Sequence, residues 1–150
     1  NAATRYHKAG RVQWRGVPLT LTRRADWAAM LGKSRALLSN PGKATGTDVY
    51  KAAIIQAWDA RTNPLEVTAL RLGDISILNL PGEPSLEYQF FAQRLRPGRF
   101  VGVAGYGDCA SGYLVLDKHY AEGGYEPTEA HGGVGSEERI KAAIRRALGK

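Results

Sequence analysis

The sequence predicts an α/β fold, with a central mixed sheet and helices packed on it. Apolar runs of strand length recur at 12–23, 65–80 and 99–107, and stretches with helical spacing of apolar residues separate them. Strands that alternate with helices are typical of helices layered on one sheet. The 150 residues, 43% of them hydrophobic, suit one domain with its own core.

The chain opens with a polar segment and then a strand. Residues 1–10 are polar, and we expect them to be flexible. In the stretch VQWRGVPLTLTR (12–23), Val17, Leu19 and Leu21 fall on one side of an extended segment, which predicts a strand with one buried face.

Two helices are predicted next. Asp26 precedes the apolar stretch WAAML and is placed to open the first helix. After a turn-rich loop, Thr47 is the expected N-cap of the second helix, DVYKAAIIQAWDAR. This helix should stop before Asn63-Pro64, because the residue before a proline avoids the helical conformation.

The stretch LEVTALRLGDISILNL predicts a β-hairpin with Gly73-Asp74 at its turn. The second strand, Ile75–Leu80, is nearly all apolar, so we expect it to be buried on both faces.

A helix, PSLEYQFFAQRL, should follow, with Pro84 in its first turn. We expect Leu86, Phe90 and either Phe91 or Leu95 to share its buried face. The run RFVGVAGYG (99–107) then predicts another buried strand. A last amphipathic helix, SEERIKAAIRRAL, is expected to begin at Ser136.

The net charge of +7 is unevenly distributed. Residues 1–63 contain 11 Lys and Arg against 3 Asp and Glu, whereas residues 64–150 contain 10 against 11. A basic half is compatible with nucleic-acid binding, but its arginines are scattered and no recognition motif is present, so we expect no nucleic-acid partner. Contact with an anionic membrane surface or with an acidic protein surface would explain the same charge.

The order of elements points to one candidate site. Ligands of open α/β sheets bind beyond the carboxyl ends of strands. One predicted strand ends at Pro81-Gly82-Glu83, and another ends ahead of the loop YGDCASGY. If the two strands are neighbours, Glu83 lies on one rim with that loop and is placed to hold a cation. The alternative is that Glu83 caps the following helix or interacts with its dipole.

Other polar residues give weaker signals. Tyr113 and Tyr125 lie in glycine-rich loops, where a phenol commonly covers the edge of a core. Cys109 and His119 lack any metal-ligand spacing, and both are interpreted as structural. His7 and His131 lie in polar stretches and are interpreted as solvated. No stretch has the pattern of a signal peptide or a membrane helix, so the compartment stays open.

Three stretches resemble the C-terminal part of the catalytic domain of neutral/alkaline, non-lysosomal ceramidases. They are LRLGDISILNLPGEPSLEYQFFAQRL, FVGVAGYGDCASGYLVLDKHYAEGGYEP and GSEERIKAAIRRAL. The resemblance is greatest to bacterial ceramidase-like proteins. It covers roughly residues 47–148 and implies that residues 1–150 form a single α/β segment similar to the last third of such a domain.

The resemblance implies an activity and a site. The family hydrolyses the amide bond of N-acylsphingosines with one Zn²⁺. Its Pro-Gly-Glu motif implies that Glu83 is a zinc ligand, and its Gly-Tyr step implies the same for Tyr113. The later tyrosine, which matches Tyr125, is implied to stabilise the oxygen of the tetrahedral intermediate. Family members are often secreted or associated with membranes.

The chain also departs from the family. Well-characterised members carry Asn-Ala ahead of the Gly-Tyr step and Thr after it, where this chain has GYGDCASGY and LVL. The family's two histidine ligands and its active-site serine lie in the N-terminal part, and no histidine here has a matching motif. We therefore expect the zinc ligands to be completed outside this chain, by an N-terminal portion of the same enzyme or by a second chain.

Two main functions follow. The first is part of a zinc-dependent amidohydrolase that acts on an N-acyl lipid substrate. The second is a non-catalytic α/β binding or structural module that keeps the fold without the zinc chemistry, which the departures around Tyr113 favour.

Overall fold

The computed structural model describes residues 10–107 and 111–150. The strands are β1 (Val12–Leu19), β2 (Leu65–Leu72), β3 (Ile75–Pro81), β4 (Glu83–Pro84), β5 (Phe100–Gly107) and β6 (Tyr113–Leu114). The helices are α1 (Trp27–Ser39), α2 (Gly46–Asp59), α3 (Leu86–Arg94), α4 (Asp117–Glu122), α5 (Tyr125–Glu129) and α6 (Ser136–Ala147). Most of the segment expected to be flexible, residues 1–9, lies outside the described residues.

The main sheet is mixed, which confirms the predicted fold class. Its four strands lie in the order β1-β2-β3-β5. The first three pair antiparallel, and β3 pairs parallel with β5. The predicted hairpin joins β2 to β3, and α3 provides the crossover that a parallel pair requires. A second, two-stranded sheet joins β4 to β6 in parallel.

The hydrophobic core lies on one face of the main sheet, beneath α3 and α6. Inward-facing strand residues such as Val67 and Leu78 are fully buried there, together with Ile140 and Ile144 of α6. Tyr88 of α3 is also fully buried, and its hydroxyl donates to the backbone oxygen of Val115 at 2.9 Å. This bond satisfies the one polar group that the ring carries into the core.

The opposite face of the main sheet is open and apolar, so the expectation that β3 is buried on both faces is wrong. Across this face, Trp14 of β1 pairs with Leu70, and Leu70 pairs with Ile77 of β3. Trp14 is 63% exposed and Phe100 of β5 is 65% exposed. The strand is apolar on both sides, but helices cover only one side of the sheet.

Two helices begin at other residues than predicted. Thr45, rather than Thr47, caps α2: its hydroxyl accepts from the backbone N–H of Asp48 at 3.2 Å, and the Asp48 carboxylate accepts from the backbone N–H of Thr45 at 2.9 Å. This reciprocal pair is a capping box. The N-cap of α3 is Ser85, so Pro84 belongs to β4 and not to the first turn of the helix.

The buried face of α3 also differs from the prediction. Leu86 and Phe90 are exposed, whereas Tyr88 and Ala92, four residues apart, are fully buried. Phe91 and Leu95 are half-buried and pack against the same core, so the expectation that one of them lies on the buried face is confirmed. The last helix, α6, begins at Ser136 as predicted.

No helix among the described residues combines the length and the apolar character needed to cross a membrane.

Candidate functional site

The predicted rim exists, because β3 and β5 are parallel neighbours and their carboxyl ends share one edge of the sheet. Pro81 at the end of β3 pairs with Gly107 at the end of β5. Glu83 follows β3 after a single glycine. The loop that leads to Tyr113 begins where β5 ends.

Gly82 makes the sharp turn that presents Glu83. Its φ of +71° lies in the left-handed region, which glycine adopts without steric cost. A Cβ at this position would collide with the backbone oxygen of Gly112 and the hydroxyl of Ser111. The Gly82 N–H donates to the backbone oxygen of Gly107 at 3.2 Å, which ties the turn to the end of β5.

Glu83 and Tyr113 are paired residues of β4 and β6. The N–H of Glu83 donates to the backbone oxygen of Gly112 at 2.9 Å, and the N–H of Ser85 donates to that of Leu114 at 3.0 Å. Neighbouring strands lie about 4.8 Å apart, so the two side chains leave the backbone side by side. Both residues are half-buried.

Two phenols lie near the Glu83 carboxylate, those of Tyr113 and of Tyr106 at the end of β5. Desolvation is the main cause that raises the pKa of Tyr113, and the interaction with Glu83 is the second. The interaction with Glu83 is the main cause that raises the pKa of Tyr106. Each phenol therefore gives up its proton less readily beside the carboxylate.

Tyr125 lies next to this pair. Its ring is 5.9 Å from the ring of Tyr113, centroid to centroid, and the two planes meet at 81°. The ring of Tyr125 is also 5.9 Å from the ammonium of Lys51, which forms an ion pair with Glu129 at 2.6 Å. Tyr125 is 59% exposed, so its hydroxyl is accessible from solvent.

The three predicted site residues are thus brought together at one rim, while their roles toward a metal and a substrate stay predictions. Glu83 is not the N-cap of α3, because Ser85 occupies that position and Glu83 lies in β4. The alternative that Glu83 interacts with the dipole of α3 stays a prediction.

An open cavity of about 350 Å³ adjoins the pair. Glu83 and Tyr113 line it together with Glu87, His119 and Glu126. The Nε2 atom of His119 is 3.9 Å from the Glu87 carboxylate, and its Nδ1 accepts from the backbone N–H of Leu116 at 3.3 Å. His119 therefore stabilises the start of α4, in agreement with its structural interpretation, although it also faces the cavity.

The side chains of Glu83 and Tyr113 could supply some, but not all, of the ligands that a zinc site needs. Zinc sites in enzymes typically use three protein ligands and keep one position open for water. Glu83 and Tyr113 offer one carboxylate and one phenol. Within residues 10–107 and 111–150, no three His, Cys, Asp or Glu side chains form a group that could hold a metal ion.

The interpretation of His131 as solvated is wrong. Its ring packs 5.2 Å from the Trp58 ring and 6.1 Å from the Trp27 ring, and its Nδ1 is buried without a hydrogen-bond partner. Burial lowers the pKa of this imidazole. The three rings line a separate cavity of about 340 Å³. His7 and Cys109 lie outside the described residues.

The sequence interpretation missed Tyr106. The strand prediction for RFVGVAGYG gives this tyrosine no role, yet its φ is +62° and its phenol lies near Glu83, whose carboxylate raises the pKa of that phenol. The sequence contains one feature that could have revealed it: a large residue with a polar hydroxyl stands between two glycines, at the end of a strand next to the predicted rim.

Comparison with solved structures finds a similar fold in the neutral ceramidase from Pseudomonas aeruginosa. The TM-score is 0.57 and the sequence identity is 17%, over 93% of this chain and 29% of that chain. The chain therefore spans less than a third of the length of that ceramidase. Comparisons with protein-family models and with curated proteins give no match. At this identity the similarity shows the fold, which is ceramidase-like.

Proposed function

We propose that this chain is part of a zinc-dependent amidohydrolase that cleaves the amide bond of N-acylsphingosine-like lipids. The observation that carries the proposal is the pairing of Glu83 with Tyr113 at the carboxyl edge of the sheet. A fold similar to that of a neutral ceramidase supports the same function.

In this proposal Glu83 and Tyr113 each supply one oxygen ligand to the zinc ion, and the other ligands come from outside the described residues. The ion, when bound, polarises the amide carbonyl and lowers the pKa of a bound water. Tyr125 donates its hydroxyl hydrogen to the carbonyl oxygen as negative charge develops there. Water adds to the carbonyl carbon, the C–N bond breaks and the nitrogen takes up a proton, so the products are a fatty acid and an amine.

The proposal includes a partner, either an N-terminal portion of the same enzyme or a second chain. Two features favour a partner. The described residues supply too few ligands for a catalytic zinc, and one face of the main sheet presents large apolar side chains such as Trp14 and Phe100 to solvent. Exposed apolar surfaces of this kind commonly mark interaction sites.

The basic first half suits contact with an anionic membrane surface, where an N-acyl lipid substrate would reside. Residues 1–63 carry an excess of eight positive charges, from 11 Lys and Arg against 3 Asp and Glu. Each basic residue near such a surface contributes on the order of 1 kcal/mol of attraction.

A non-catalytic α/β module is the second candidate function. The absence of a group of three metal-binding His, Cys, Asp or Glu side chains in the described part of the chain favours it. In such a module Glu83 would contribute only its backbone to the β4–β6 pair.

The two functions are separated by one set of measurements on the protein purified from its natural source. Intact mass gives the chains present, elemental analysis gives the zinc content, and fatty-acid release from a short-chain ceramide gives the activity. The proposal expects one zinc per complete site and turnover. A preparation that contains its natural partners, holds no zinc and has no activity would establish the non-catalytic module.

A further inference from the structure

A small cavity lies at the end of the main sheet opposite the candidate site. Its volume is about 120 Å³. Arg71 of β2 and Ser76, near the start of β3, are directly paired and both line it. Arg96, shortly after α3, and Leu148 at the end of α6 line it as well. The cavity is thus separate from the rim, because Glu83 follows the other end of β3.

Arg96 brings a buried positive charge to this cavity. The residue is only 7% exposed. Its Nη1 donates to the backbone oxygen of Leu148 at 3.1 Å, while its Nε is buried without a hydrogen-bond partner in the described part of the chain. Burial, with the nearby charge of Arg71 as the second cause, lowers the pKa of Arg96. Arginine nevertheless stays charged in proteins, and a buried charge without an opposite charge is costly.

The neighbouring side chains add positive charge and do not balance it. The Nε of Arg71 donates to a backbone oxygen at 3.1 Å. Asp74, the acidic residue nearest to Arg71 in the sequence, forms an ion pair with Arg99 instead. Among the residues that the structure describes, no Asp or Glu side chain lines the cavity. Within the same part of the chain, no ion pair is formed by its three arginines, Arg15, Arg71 and Arg96.

Ser76 supplies a second buried polar group without a partner. The residue is 1% exposed, and its hydroxyl has no hydrogen-bond partner among the described residues. Buried polar groups are nearly always hydrogen-bonded, so an exception calls for an explanation such as a bound ion or water. Residues directly opposite on antiparallel strands have Cβ atoms about 5 Å apart. The hydroxyl of Ser76 and the guanidinium of Arg71 therefore leave the same face of the sheet side by side.

The end of α6 accounts for only part of this arrangement. Arg15 and Arg96 both donate to its last backbone oxygens, those of Arg146 at 2.9 Å and Leu148 at 3.1 Å. A helix C-terminus carries roughly half an elementary negative charge. Three guanidinium groups therefore leave about two positive charges unbalanced. Arg71 makes no printed contact with this helix end, so a capping role does not explain it.

We propose that this cavity is a binding site for a phosphate group. Guanidinium groups bind phosphate oxygens through pairs of parallel N–H···O bonds. A phosphate monoester carries a charge of about −1.5 to −2 at neutral pH, close to the positive charge that the helix end leaves unbalanced. A carboxylate carries a single negative charge and would balance only part of it.

The surroundings of the cavity suit an ester as well as the free ion. An open groove of about 480 Å³ shares Arg15 and Gly149 with the cavity, and Arg146 and Lys150 line it too. The cavity is small enough to take one phosphate group, and the rest of an ester would lie along this basic groove.

The test measures anion affinity in the full 150-residue chain by calorimetric titration at constant ionic strength. The probes are inorganic phosphate, glycerol 3-phosphate and acetate. The variants are Arg71→Gln and Arg96→Gln, with Arg139→Gln, an exposed arginine on α6, as the matched control. We expect the unsubstituted chain and the control to bind phosphate equally. Both cavity variants should bind it at least about 10-fold more weakly, because each loses hydrogen bonds between charged groups.

Arg71→Gln separates anion binding from the stability of the helix end. Arg96→Gln also loses the bond to Leu148, so its melting temperature should fall, whereas Arg71→Gln keeps that bond. On addition of phosphate, the backbone amide resonances of Ser76 and Leu148 should shift and that of Glu83 should not.

Three results would overturn the proposal. They are no phosphate binding by the unsubstituted chain, equal affinity in Arg71→Gln, and acetate binding as tight as that of phosphate, which would assign the cavity to a carboxylate. Tighter binding of glycerol 3-phosphate than of inorganic phosphate would support an ester that extends into the groove. The reverse order would support the free ion.

Discussion

Glu83 and Tyr113 are directly paired across two short parallel strands, at the edge where β3 and β5 both end. The pairing depends on the backbone, because the N–H of Glu83 is bonded to the residue before Tyr113. A carboxylate and a phenol are thus held adjacent whether or not any ion is present.

Replacement of Glu83 by glutamine should remove metal and activity from a complete enzyme and leave the fold intact. The side chain is half-buried at a rim, and substitutions away from a core usually change stability by less than about 0.5 kcal/mol. A neutral amide is a poor zinc ligand. Zinc content and thermal melting should be measured beside Glu122→Gln, an exposed carboxylate on α4. If Glu83→Gln melts like a core variant and keeps its metal, Glu83 is structural.

Replacement of Tyr125 by phenylalanine should slow turnover in a complete enzyme without loss of zinc. In the proposed mechanism its hydroxyl donates to the developing oxyanion, and removal of one such donor typically costs about 10²–10³ in kcat. The exposed ring would keep its contact with Tyr113. Steady-state kinetics with a short-chain ceramide test this, with zinc content measured on the same samples. An unchanged kcat would exclude the oxyanion role.

Gly82→Ala should destabilise the fold more than Gly42→Ala. Both glycines have positive φ, at +71° and +50°, but nothing lies within 4 Å of a Cβ at Gly42, whereas one at Gly82 collides with Gly112 and Ser111. Left-handed strain alone costs about 1–2 kcal/mol. Urea unfolding should therefore show that the free energy of unfolding falls by about this amount in Gly42→Ala and by more in Gly82→Ala. Equal losses would show that the turn relaxes without cost.

The free energy of unfolding should fall as the pH drops from about 7 toward 5. Burial lowers the pKa of His131 in the folded chain, while the unfolded imidazole keeps its ordinary value near 6.5. Below that value the unfolded state binds more protons, so acid favours unfolding. Denaturant midpoints between pH 5 and 7.5 check this. Over this pH range the free energy of unfolding should depend less steeply on pH in His131→Phe than in the unsubstituted chain. An equal dependence in the two proteins would assign the effect to other groups.

Residues 1–150 alone should not hydrolyse N-acylsphingosines. Glu83 and Tyr113 supply two oxygen ligands, fewer than the three that catalytic zinc sites typically use. The assay adds stoichiometric Zn²⁺ to the purified chain and measures fatty-acid release from a short-chain ceramide. Turnover above the zinc-only background would show that the site is complete within this chain.

The sequence was informative wherever local chemistry determines local structure. The Gly73-Asp74 turn defines the hairpin, and Pro81-Gly82 ends β3 at a carboxylate, so the rim and Glu83 could be predicted from order alone. That prediction assumed that β3 and β5 are neighbours, and the structure shows that they are.

The burial of individual side chains could not be predicted where it depends on how the helices pack on the sheet and on one another. Ile77 looks like a core residue, yet it is exposed because helices cover one side of the sheet only. His131 looks solvated in its polar stretch, yet its ring packs against Trp27 and Trp58, which lie far from it in the sequence. The later start of α3 reflects β4, which holds Pro84 and, with two residues, is too short to carry a periodic signal.

The position of β5 at the border of the main sheet has a consequence for how the candidate site responds to heat. A border strand has ladder hydrogen bonds on one side only, and its end opens with a smaller free energy than the centre of a sheet. The end of β5 holds Tyr106 and is bonded to the turn before Glu83. Fraying of this end would therefore free the Gly82 turn that presents Glu83, while the core beneath α6 remains folded. On gradual warming, amide exchange at Tyr106 and Gly107 should accelerate well before exchange at Val67 and Leu78.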